Sequence, residues 1–71
     1  MIAPEVLENW FTYHAPSSAD LVSYQKVRES ALMFAKDINE HCPDSADKSA
    51  AIRLLRECVM TANASIACKG K

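Results

Sequence analysis

Residues 19–68 read ADLVSYQKVRESALMFAKDINEHCPDSADKSAAIRLLRECVMTANASIAC, and this stretch decides the fold. In its first half Tyr24, Val27, Ala31, Phe34 and Ile38 recur at alternating spacings of three and four, with Leu21 and Ala35 widening the stripe. That rhythm lines one face of an α-helix. Ile52, Leu55, Val59, Ala62 and Ile66 repeat it in the second half. Only Cys42-Pro43-Asp44-Ser45 separates the halves; Pro43 stops the first helix, and Asp44 or Ser45 caps the second. Ser17 or Ser18 caps the first, Asp20 and Asp47 place negative charge in the opening turns, and Gly70 sits where the second helix should end.

The expected segments are an N-terminal portion over 1–18, a helix over 19–41, a turn over 42–45 and a helix over 46–68. Each long helix would be roughly 35 Å in length, and so short a connection makes them antiparallel. Pro4 suits the first turn of a short helix running through Trp10, with Val6, Leu7 and Trp10 available to pack. The fold class is therefore all-α: an antiparallel helical hairpin with a short N-terminal helix.

A chain of 71 residues and 7.8 kDa is a single domain. Near this length a core alone rarely supplies more than about 3–5 kcal/mol, so the fold needs a supplement. Cys42, Cys58 and Cys68 are odd in number, lie 16 and 10 residues apart and form no close pair, which argues against a disulfide framework. With His14 and His41 they lack the close ligand pairs of a metal site, and neither a metal nor another cofactor is expected. Leu32, Met33, Leu54, Cys58 and Met60 lie off the main stripes, leaving more apolar arc than one partner helix covers. A loose monomer with the N-terminal segment packed across the hairpin is one solution. Assembly of the hairpin with copies of itself into a compact homo-oligomer is the one the size argument favours.

Eight Lys and Arg against nine Asp and Glu give a net charge of −1, so the pervasive cationic surface of a nucleic-acid polymer binder is missing. No apolar run approaches the ~20 residues that cross a bilayer, no basic, apolar signal peptide opens the chain, and it reads as cytosolic. The charge is unevenly placed. Residues 1–25 hold three acids and no Lys or Arg, whereas residues 26–71 hold eight basic and six acidic groups. Lys26 and Arg28 open the basic portion, two positions apart and so not close on one helix face; a small ligand shared by both would have to lie across the helix or involve another subunit. Glu29 and Asp37 offer the plainer alternative of a solvated face of mixed sign.

Trp10-Phe11-Thr12-Tyr13-His14-Ala15-Pro16 packs four rings into five residues, in the linker before a long helix. These rings either close the open end of the hairpin or, beside the cations, offer a stacking surface and a charge partner to a small anionic nucleotide. One base stacked on one ring contributes on the order of 1–3 kcal/mol. Catalysis finds no nucleophile elbow, no glycine-rich phosphate loop and no carboxylate cluster. Cys58 borders the apolar stripe and reads as core rather than as a nucleophile. No enzymatic activity is expected.

The ordered set Phe11-Thr12-Tyr13-His14-Ala15-Pro16, Tyr24, Val27-Arg28, Ala31, Phe34-Ala35, Ile38, Cys42-Pro43, Ser45, Lys48-Ser49, Ala51, Leu55, Val59-Met60 and Ala62-Asn63-Ala64-Ser65-Ile66-Ala67 resembles the short phage anti-CBASS hairpin proteins, the cyclic-nucleotide sponges. The likeness runs from about Phe11 to Ala67. It implies a helical homo-oligomer, a hexamer, that binds cyclic dinucleotides and in some members cyclic trinucleotides. Such proteins sequester the messenger uncleaved in the cytoplasm of the infected bacterium, with pockets formed between subunits.

Carried over by position, the resemblance implies base stacking by Tyr13, a pocket wall shaped by His14 or Phe11, phosphate contacts from Arg28 and Lys26, and from Asn63 either a ligand contact or a bond to a neighbouring helix. Arginine suits bidentate phosphate contacts and lysine supplies a point charge. Ala15 stands where a second proline is common and Asp20 where glutamine is expected; Cys68 stands where many members carry a basic residue, and that last departure weakens the case for a trinucleotide site. The competing reading is a structural or adaptor hairpin whose exposed apolar faces dock another protein.

Overall fold

A computed structural model describes residues 1–71 as three helices: α1, Pro4–Phe11; α2, Ser18–His41; and α3, Ala46–Ala67. Local chemistry accounts for each boundary. Ser17 Oγ accepts from the Asp20 N–H at 3.1 Å while the Asp20 carboxylate accepts from the Ser17 N–H at 3.0 Å, a reciprocal capping box. Ser17 rather than Ser18 is thus the cap, and α2 starts one residue before the expected 19. At its other end the Cys42 N–H closes on the Ile38 carbonyl at 3.0 Å, and Pro43 has no N–H to continue.

The turn is tied to itself. Ser45 Oγ accepts from the Lys48 N–H at 3.1 Å and donates to the Pro43 carbonyl at 3.2 Å, so Ser45, not Asp44, caps α3. Lys48, with a side chain only 13% exposed, donates from Nζ to the Asn39 carbonyl at 2.8 Å and pairs with Asp44 at 2.9 Å. A cation is thereby placed on the last turn of α2, where unpaired carbonyls gather negative charge.

Helix α3 ends at Ala67 rather than Cys68. The Gly70 N–H reaches back to the Ser65 carbonyl at 2.9 Å and the Lys69 N–H to the Ile66 carbonyl at 3.3 Å, the paired bonds of a Schellman motif. Gly70 has the expected left-handed backbone, φ 75, but the residue just past the cap, Lys69, is left-handed as well, φ 57.

Helices α2 and α3 pack along a seam of Tyr24, Val27, Ala31, Ala35 and Ile38 facing Ile52, Leu55, Val59, Ala62 and Ile66, all half-buried. Two expectations are corrected here. Phe34, placed in the stripe by its spacing, is 58% exposed, and Leu21 is exposed too. The seam runs through Ala35, whose small side chain lets the helices approach, and one position along a helix turns a side chain by about 100°. Cys58, expected in the core, is exposed for the same reason, lying beside Val59 on the flank.

No residue of the isolated chain is fully buried. The molecule measures 45 × 33 × 15 Å, a slab one helix thick, with a radius of gyration of 15.3 Å. A globular chain of this length would have about 11 Å. The surplus apolar arc is on the outside, where Leu32, Met33, Phe34, Leu54 and Met60 are all more than half exposed.

Candidate functional site

The aromatic segment begins on α1, which continues past Trp10 to include Phe11, and so only Tyr13 and His14 of its four rings belong to the linker. The linker is extended but tethered. The Thr12 hydroxyl donates to the Glu8 carbonyl, and His14 Nε2 lies 2.7 Å from the Asn9 carbonyl. A carbonyl only accepts, so the His14 proton sits on Nε2 and the ring is held in one orientation. Phe11 and Tyr13 have no such restraint on their own rings: they are 84% and 83% exposed, two bare aromatic faces on a held backbone.

Lys26 and Arg28 lie on opposite sides of the seam. Arg28 borders a groove of about 370 Å³ floored by Ala35 and Ile52 and edged by Leu32, Met60 and a second guanidinium, Arg56. Lys26 borders the groove on the other side, about 340 Å³, with Ser30, Phe34 and Cys58. The two grooves meet only at the seam residues Ala31, Leu55 and Val59.

Neither cation forms an ion pair within the chain. Glu29, the acid the sequence offered as a neighbour, is hydrogen-bonded instead by Gln25 Nε2 at 2.9 Å. Each groove is therefore apolar with an unneutralised positive rim, a combination that accepts an anion carrying a flat or apolar body.

Asn63 is half-buried on α3, and its Oδ1 is enclosed without a hydrogen-bond donor. An acceptor taken from water and left unpaired costs about 1–3 kcal/mol. Nothing else among the expected site residues is buried this way; the atom is ready to accept from an N–H or O–H supplied from outside the chain.

Arg56 and Lys69, neither of them among the residues expected at the site, adjoin it. Arg56 flanks the second stripe next to Leu55 as Arg28 flanks the first next to Val27, a symmetry that becomes visible only when the two helices are folded face to face. Lys69 reaches Asp20 with Nζ 2.7 Å from both carboxylate oxygens. That contact, with the Ser17 N–H second, holds the Asp20 carboxyl below the usual aspartate range. Lys48 lowers Asp44 in the same way at the opposite end of the hairpin.

No three His, Cys, Asp or Glu side chains gather within metal-binding reach of one another, and no helix is long and apolar enough to cross a membrane. Comparison with known families finds one match, to the model described as Acb2/Tad1, hairpin domain, over residues 3–67. No curated protein and no solved structure matches the chain significantly.

Proposed function

We propose that this chain, which belongs to the Acb2/Tad1 hairpin family, binds cyclic dinucleotides and releases them unchanged, holding them away from the host's CBASS effector. Proteins of that family are sponge-type binders that sequester cyclic nucleotides against CBASS immunity. The observation that carries the reading within this chain is the pair of bare rings, Phe11 and Tyr13, on a backbone held in place by His14 and Thr12. In this reading Tyr13 stacks on a base, Phe11 and His14 form the wall, Lys26 and Arg28 meet phosphates, and Asn63 Oδ1 accepts from a ligand or from a neighbouring subunit.

Because Lys26 and Arg28 face away from each other, one chain cannot close both on a single small ligand. A homo-oligomer, a hexamer by analogy with the family, brings the Lys26 edge of one copy to the site elements of the next. The exposed area supports assembly: the chain presents 5846 Å² of surface, whereas a globular monomer of this mass presents about 4,400 Å². The difference is of the size that a stable protein interface buries. The place of action is the cytoplasm of an infected bacterium, and cyclic trinucleotides are further candidate ligands.

Titration calorimetry with cyclic di- and trinucleotides tests the reading. Saturable heat with a cyclic dinucleotide, and recovery of that molecule intact after denaturation, are expected. No heat with any of them overturns it, and recovery of a linearised product overturns sequestration without cleavage. The surplus apolar surface favours one other reading, an adaptor hairpin for another protein. A chain that stays monomeric at micromolar concentration would select the adaptor.

A further inference from the structure

Three of the four residues after α3, Cys68, Lys69 and Lys71, touch the two ends of the segment that carries the bare rings. Trp10 Nε1 donates to the Lys71 main-chain carbonyl at 3.3 Å, and Cys68 Sγ lies 3.8 Å from the Asn9 carbonyl, the same oxygen that His14 engages. At the far end Lys69 Nζ holds the Asp20 carboxylate, which is itself half of the capping box with Ser17. Residues 9–20 are thereby joined at both ends to the turn Cys68–Lys71.

Lys69 occupies the left-handed position of that turn, φ 57, where glycine would sit without steric cost. If the turn served only to end α3, a glycine at 69 would do it better. What lysine adds at this place is an ammonium reaching a carboxylate 49 positions away. A backbone conformation that a side chain disfavours, kept at a point where the side chain makes the one ion pair between the ends of α2 and α3, points to a role beyond helix termination.

We infer that Cys68–Lys71 is a clasp, with Lys69 as its positioning residue, that holds the Phe11–Tyr13 segment in the orientation in which its rings meet a ligand. The last clause rests on the sponge reading; the clasp itself does not. Lys69 touches no ligand in this scheme and acts through Asp20 and the linker.

Lys69→Gly and Lys69→Arg test it in the full-length chain. Glycine suits the turn and removes the ammonium, so the variant keeps its fold; arginine restores a cation. Three readouts apply: iodide quenching of Trp10, the only tryptophan, amide exchange over residues 9–20, and affinity for a panel of cyclic di-AMP, cyclic di-GMP and cyclic GMP–AMP. Lys69→Gly is expected to raise quenching, speed exchange and weaken affinity by about two- to fivefold, the scale an exposed ion pair commands. Helix content and oligomer mass should stay unchanged, and Lys69→Arg should return all three readouts to wild-type values.

Unchanged quenching and exchange in Lys69→Gly would overturn the clasp. Faster exchange with wild-type affinity would overturn its positioning role. A wild type that binds none of the panel sinks the sponge reading instead, and the clasp then stands or falls on quenching and exchange alone.

Discussion

Lys26 and Arg28, two positions apart on α2, border different grooves on opposite sides of the α2–α3 seam, and neither is neutralised by an acid of its own chain. Two cations that flank one short stretch of sequence therefore lie on two separate surfaces. That divergence shapes how ligand binding should respond to substitution.

Tyr13→Ala and Lys26→Ala should each weaken binding of a cyclic dinucleotide by at least about tenfold while circular dichroism and oligomer mass remain those of the wild type. The reason is that both side chains lie outside the seam: Tyr13 is 83% exposed and Lys26 is exposed. Loss of one stacked ring alone is worth on the order of 1–3 kcal/mol, or about one to two decades in Kd. Wild-type affinity in both variants would refute the site assignment.

Lys48→Met should lower stability by about 1–2 kcal/mol, because it removes a charged donor from the last turn of α2 and leaves the Asn39 carbonyl without it. Thermal melts check this. Asp44→Asn, which leaves the Lys48–Asn39 bond in place, should move the midpoint less, since Asp44 is almost wholly solvent-exposed. Equal effects would mean that the surface ion pair, not the bond to α2, supports the turn.

Asp20 links fold to pH. Its carboxyl is held below the ordinary aspartate range, first by the hydrogen bond from Lys69 and next by the Ser17 N–H. A lowered folded-state pKa favours the ionised form in the native state, so its stabilising contribution is fully present above the unfolded value, about 3.9. It is lost as pH falls from there through the lower folded value. Trp10 emission and helix content followed from pH 7 to pH 2 should therefore hold to about pH 4 and then decline. In Asp20→Asn the starting stability should be lower and the decline shallower; an unchanged profile would show that Asp20 and Lys69 are not paired in solution.

Leu54→Glu should leave the hairpin folded and dissolve the assembly, since Leu54 is 63% exposed in the single chain and outside the seam. Sedimentation velocity should show the wild type at a multiple of 7.8 kDa, sixfold for a hexamer, and the variant at the mass of one chain. A variant that sediments as the wild type would remove Leu54 from the interface.

Much of the hairpin was legible from spacing alone, because its causes are local. A hydroxyl at position 17 or 45 can find an N–H three residues on whatever the rest of the chain does, and Pro43 lacks a donor in any context. The α3 stripe from Ile52 to Ile66 was read correctly for the same reason. Phe34 shows where this stops: positions 34 and 35 both satisfy a three-or-four spacing, and the choice between them depends on how closely α3 approaches, which no property of α2 determines.

The chain by itself thus determined three helices, two candidates for each long helix's cap, the turn and the presence of an aromatic segment ahead of a basic one. Tertiary structure decided which stripe residues meet across the seam, that Arg28 and Arg56 share a groove, that Asn63 Oδ1 is enclosed without a donor, and that Lys69 finds Asp20. The physical reason is one of range. Capping and helical phase arise from groups a few residues apart, whereas these pairings join residues tens of positions apart, and their geometry exists only after two helices have settled into one register.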